Sequence, residues 1–106
     1  MNNKKILGLI GLAARARKIC FGADSVELEI QKKKVHLVIV ATDSSDRTKE
    51  KFQNICKEYG IPIIIKGEIE NLSKAIGKSN KAIIGIEERN IATEIQKINN
   101  GGEAIG

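Results

Sequence analysis

Tryptophan is absent from this 106-residue chain, and only Phe21, Phe52 and Tyr59 are aromatic. That argues against a platform of stacked aromatics for single-stranded nucleic acid, and it makes the core aliphatic. Cysteine occurs twice, at Cys20 and Cys56, histidine once, at His36, and no CxxC pair is present. These are too few soft ligands for a zinc site. The thiols read as small, reduced, partly buried hydrophobes of a cytoplasmic protein. No apolar run reaches the ~18 residues of a membrane span. Lys4 and Lys5 precede an apolar segment in the manner of a signal peptide. Arg15, Arg17 and Lys18 continue that segment, however, which makes it an amphipathic helix.

What the chain has is positive charge in one place. Residues 1–34 carry eight basic side chains against three acidic ones, so the whole net charge of +5 lies in the first third. A localised basic surface is the footprint of a polyanion partner.

The length suits one compact domain, over residues 1–98, with the tail 99–106 expected to fray. Apolar spacing predicts a helix over 4–17, then a short strand Lys18–Phe21 ended by Gly22. A helix follows over 23–33, with Asp24 or Ser25 as N-cap and Glu27 completing a capping box. Val35–Ala41 is a near-continuous apolar run, the pattern of a strand covered on both faces. A helix over 46–59 stops at Gly60. Pro62 opens a strand over 63–66, and 69–76 suits a short helix ending at Gly77. Residues 81–86 form another buried strand and 89–98 a last helix. Strands alternating with helices predict an α/β fold, a three-layer α/β/α sandwich on a four-stranded mixed sheet.

Catalytic motifs do not assemble. The GKS at 77–79 lacks the glycine that a phosphate-binding P-loop needs five residues earlier, where Leu72 stands. His36 has no acid or nucleophile beside it and reads as structural. Glu87 and Glu88, adjacent at a strand end, point opposite ways. Asp43 follows the central strand, where α/β proteins often place functional groups. Nothing joins a nucleophile, a base and an oxyanion donor, so no enzyme, small-molecule substrate or cofactor is expected.

The remaining signal is geometric. If the turns after residues 21, 42 and 86 gather at one edge, Gly22 allows close backbone approach. The helix start beyond it can hold a phosphate, and Asp24 and Ser25 face the bases.

The segments LIGLAARARK (Leu9–Lys18), GADSVELEI (Gly22–Ile30), KVHLVIVATDSS (Lys34–Ser45) and AIGK (Ala75–Lys78) together resemble the YlxQ-type bacterial proteins. These belong to the superfamily of ribosomal proteins that bind RNA kink-turns, and the likeness runs from about residue 4 to 98. It implies a single α/β/α domain that binds structured or ribosomal RNA, on or off the ribosome, without catalysis or cofactor. The superfamily's turn before the second helix runs glycine, any residue, Asn, Glu, two residues, Lys. On this chain Gly22 keeps the glycine, while Asp24, Ser25 and Leu28 hold the other three positions, with Leu28 turned toward the core. As an RNA binder the chain is expected to hold phosphates with Arg15, Arg17 and Lys18, the basic end of the first helix that leads into the Gly22 turn. Gly22 and Ala23 allow approach, Asp24 and Ser25 read base edges, and Arg89 and Asn90 flank the RNA from the loop after the last strand. The alternative is a protein-interaction module on the same fold with a degenerate RNA site.

Overall fold

Leu37, Val38, Ile39 and Val40 are all buried, as befits a strand with helices on both faces. The computed structural model describes residues 2–101. In chain order the elements are α1 (Asn2–Arg15), β1 (Ile19–Phe21), α2 (Ala23–Gln31), β2 (Leu37–Val40), α3 (Asp46–Tyr59), β3 (Ile63–Ile65), α4 (Ile69–Ala75), β4 (Ile83–Ile86) and α5 (Arg89–Asn99). Helices α1, α4 and α5 cover one face. There Ile6, Ile10, Leu72 and Ile95 pack on Leu37, Ile39, Ile84 and Ile86. Helices α2 and α3 cover the other, where Val26, Ile30, Phe52 and Cys56 pack on Val38, Val40 and Ile83. Each buried isoleucine or phenylalanine contributes roughly 1.5–3 kcal/mol. The expected three-layer α/β/α sandwich is the fold found.

Local signals set several boundaries. Ser45 caps α3, accepting from the Thr48 amide at 3.1 Å, and Gly60 ends it in the left-handed region at φ 68°. The capping box expected for α2 does not form. Gly22 is its N-cap, with no side-chain capping bond, and Glu27 pairs with Lys51 of α3 at 3.3 Å instead. Of the tail expected to fray, Asn99 ends α5 and the Asn100 amide donates to the Gln96 carbonyl. Residues 102–106 and Met1 lie outside the described residues.

Strand order is β1-β4-β2-β3. Strand β4 runs antiparallel to both neighbours, pairing Phe21 with Ile84 and Val40 with Ile83, while β2 and β3 are parallel. This corrects one expectation. The turns after 21 and 42 share an end of the sheet, but the turn after 86 lies at the opposite end. The segment entering β4, residues 77–82, takes its place beside Gly22, whose amide donates to Ile83 O at 3.0 Å. At the far end the Glu87 amide donates to Lys18 O at 2.8 Å.

Candidate nucleic-acid interface

The site is built where β1 gives way to α2. Gly22 has φ 89°, a conformation that side-chain-bearing residues rarely adopt. A Cβ there would meet nothing within 4 Å, so the backbone angle and not crowding calls for glycine. Ala23, Asp24 and Ser25 follow as the first helical residues, all exposed. Their amides precede the first intrahelical bond, which Val26 makes to Gly22 O. The positive end of the helix dipole thus faces solvent with no side chain capping it.

The facing wall is the 77–82 loop. Ser73 of α4, which is buried, holds its end: Ser73 Oγ accepts from the Lys81 amide at 2.7 Å and lies 3.2 Å from the Lys81 carbonyl. Gly77, at φ 71°, ends α4 and starts the loop. The ammonium groups of Lys78 and Lys81 each stand 5.4 Å from the centre of the Phe21 ring, within reach of a cation–π attraction. Phe21 immediately precedes Gly22, so two cations, a glycine turn and an uncapped helix start meet at one end. Sequence reasoning missed this loop. In the sequence, GKS at 77–79 reads as an incomplete nucleotide motif and AIGK as part of a family likeness, and nothing local tells which way β4 runs.

The expected site residues divide between the two ends. Gly22, Ala23, Asp24 and Ser25 stand together at the start of α2. Arg15 folds back along α1: a Cβ built on Gly11 would lie 3.5 Å from its guanidinium and 3.2 Å from the carbonyl of Ala75, the last residue of α4. Arg17 and Lys18 stand at the other end of β1 and line a groove with Lys34, His36 and Glu87. Arg89 and Asn90 open α5 at that same far end, so neither faces Gly22. Leu28, expected in the core, is 50% exposed. Val26 and Ile30, one helical turn apart, take the buried face, and a residue midway between them points outward. Asp43 serves the fold by accepting from the Ile69 amide at 2.9 Å. Glu88 caps α5 through the Ile91 and Asn90 amides.

Titratable groups in the interior carry no catalytic arrangement. Burial pushes the Cys56 thiol up to about 11. Burial and then the Glu87 carboxylate push Cys20 up to about 12. Both cysteines are free and buried. Among the described residues no group of His, Cys, Asp and Glu could hold a metal ion, and no helix is long and apolar enough to cross a membrane.

Known proteins resemble this chain in sequence and in fold. The chain is 31% identical to the RNA-binding protein YlxQ of Enterococcus faecium, over 94% of its own length and 96% of the relative's. With RNA-binding protein YlxQ of Bacillus subtilis it shares 30%, over 90% and 95%. Among solved structures, a Bacillus halodurans protein of unknown function superposes with a TM-score of 0.87 at 34% identity, covering 91% of this chain and 97% of that one. The 15.5 kD RNA-binding protein of Giardia lamblia has the same fold, with a TM-score of 0.79 at 22% identity over 99% and 90%. A family model also matches residues 4–95, and the chain belongs to the ribosomal protein L7Ae/L30e/S12e/Gadd45 family.

Proposed function

We propose that this protein binds structured RNA of the kink-turn kind, ribosomal RNA included, at the end of the domain where α2 begins. It is a binding protein and not an enzyme, and its setting is the cytoplasm. One observation carries the reading: Lys78 and Lys81 flank Phe21, beside an uncapped helix start and an outward-facing glycine. The names of the two curated relatives support it. The amides of Ala23, Asp24 and Ser25 hold one phosphate through the helix dipole. Lys78 and Lys81 meet others, supplying the charge that Leu28 does not, and Arg15 lies by the end of α4 that leads into their loop. Gly22 and Ala23 let the RNA backbone come close. The Asp24 carboxylate repels phosphate and accepts from base amino and imino groups, so it reads bases, with Ser25 beside it.

Titrating a kink-turn RNA and a plain RNA duplex at two salt concentrations tests this. The wild type is expected to prefer the kink-turn. Changing Lys78→Gln with Lys81→Gln should lower the salt slope for the kink-turn by about 2. Equal binding of both RNAs, unaltered by the change, would sink the reading. A second reading, a protein-interaction module, draws on the exposure of Leu28. A lysate partner that survives nuclease and is lost in Leu28→Ser favours that one.

A further inference from the structure

Most of the cations in the first third of the chain are not at the site described above. Arg17, Lys18, Lys32, Lys33 and Lys34 lie at the opposite end of the sheet, where α1 and α2 finish and β1 and β2 begin. The two segments come together because β1 and β2 both run antiparallel to β4 and so point the same way. Arg17, Lys18, Lys34 and His36 line one groove, with Glu87 at its side. Arg17, Lys18, Lys33 and Lys34 are exposed, and none of the four makes an ion pair among the described residues. Lys32 is paired with Glu29 at 3.7 Å.

Backbone geometry adds an independent observation. Arg17 and Lys33 have φ of 60° and 63°. Each closes its helix from the left-handed region, and the residue after each donates back into the last turn, Lys18 to Ala13 and Lys34 to Glu29. Helices α3, α4 and α5 are followed by glycines in the same region, at Gly60, Gly77 and Gly101. Glycine is the residue for that position, and a long side chain there is strained. Attraction to the negative end of the helix dipole would favour a cation anywhere in the last turn. It does not explain a cation at the one strained residue, in two helices out of five.

We infer that this end of the domain is a second RNA contact, which grips the phosphate backbone of a double-helical segment separate from the one held at Gly22. The inference rests on the reading of the chain as an RNA binder. Phosphate is the fitting partner because the groove offers separate point charges and a guanidinium. The domain measures 34 × 28 × 27 Å, and the two surfaces face opposite ends of its sheet, so one protein can hold two RNA segments.

The test compares the wild type with two variants on a plain RNA duplex and on a kink-turn RNA, at about 50 mM and about 200 mM salt. One variant is Arg17→Gly with Lys33→Gly; the other is Lys78→Gln with Lys81→Gln. The glycine pair should melt at a higher temperature than the wild type, yet lose affinity for the plain duplex with its salt slope lowered by about 2. It should still prefer the kink-turn. The loop variant should lose that preference and keep most of its duplex binding. Ultraviolet crosslinking should map duplex RNA to the peptides holding Lys18 and Lys34. Unchanged duplex affinity and slope in the glycine pair would overturn the inference, as would loss of an acidic protein partner instead of RNA. Failure of the kink-turn preference in the wild type would strike the first reading and leave this one to its own result.

Discussion

Ser73 Oγ and the backbone amide of Lys81 are 2.7 Å apart, a bond between a helix buried on the sheet and the loop that carries two lysines. Ser73 is a buried polar residue in an otherwise apolar layer. Its hydroxyl lets Lys81 stand at Phe21 without leaving an amide unpaired. Ser73→Ala removes both bonds to Lys81. It should cost roughly 1–3 kcal/mol, the range for orphaning a buried group, as read from urea unfolding. It should also weaken kink-turn binding more than binding to plain duplex, because the loop loosens.

Gly85 marks where β1 and β4 pack too closely for a side chain. A Cβ on it would stand 2.6 Å from Cys20 Sγ and 3.3 Å from both Val35 methyls. Gly85→Ala should therefore destabilise by roughly 1–3 kcal/mol through overpacking. Adding Cys20→Ala should restore part of that loss, because the closest clashing atom is gone. Thermal melts of the two single variants and the double variant check the coupling.

Asp24 lies in the first turn of α2 but caps nothing. Asp24→Ala should change stability by less than about 1 kcal/mol, the size of a charge–dipole contribution. The same change should reduce discrimination between kink-turn and plain duplex. A large fall in melting temperature with unchanged discrimination would make Asp24 a structural residue.

Glu87 gives a pH dependence of definite sign. Burial is the main reason its carboxyl is held above the ordinary range, with Glu29 adding to the effect and Cys20 and Lys34 pulling it down. Its Oε2 is buried with no hydrogen-bond partner, so a charge on it is left uncompensated there. A raised folded value means the native state binds that proton more tightly than the unfolded chain. The contribution to stability is therefore intact in acid and lost as pH rises from the unfolded value through the folded one. Arg17, Lys18 and His36 line the same groove. Glu87→Gln should raise the melting temperature relative to wild type near neutral pH and lose that advantage below the carboxylate range.

Much of the fold was legible because its signals are local. Ser45 and Gly60 bracket α3 with chemistry that acts within one turn, and the helix runs over Asp46–Tyr59 as the spacing implies. The unbroken apolar run at Leu37–Val40 declares a strand covered twice. The start of α2 was less legible, because Asp24 and Ser25 satisfy a capping pattern that the Gly22 turn pre-empts. Leu28 was misplaced because Val26, Leu28 and Ile30 alternate as well as they spiral, and only the helix sends the middle one outward.

The candidate site was half legible. Gly22 and the three residues after it are contiguous, so sequence alone brought them together. Lys78 and Lys81 join them only because β4 runs antiparallel to β1 and brings its entrance, not its exit, to Gly22. The same antiparallel pairing carries Arg89 and Asn90 to the far end, with Arg17 and Lys18. Sequence by itself determined the element types, the aliphatic core and the basic first third, since each follows from residue type and short-range spacing. Tertiary structure decided which cations share a surface, because strand direction is set by pairing between residues more than sixty positions apart.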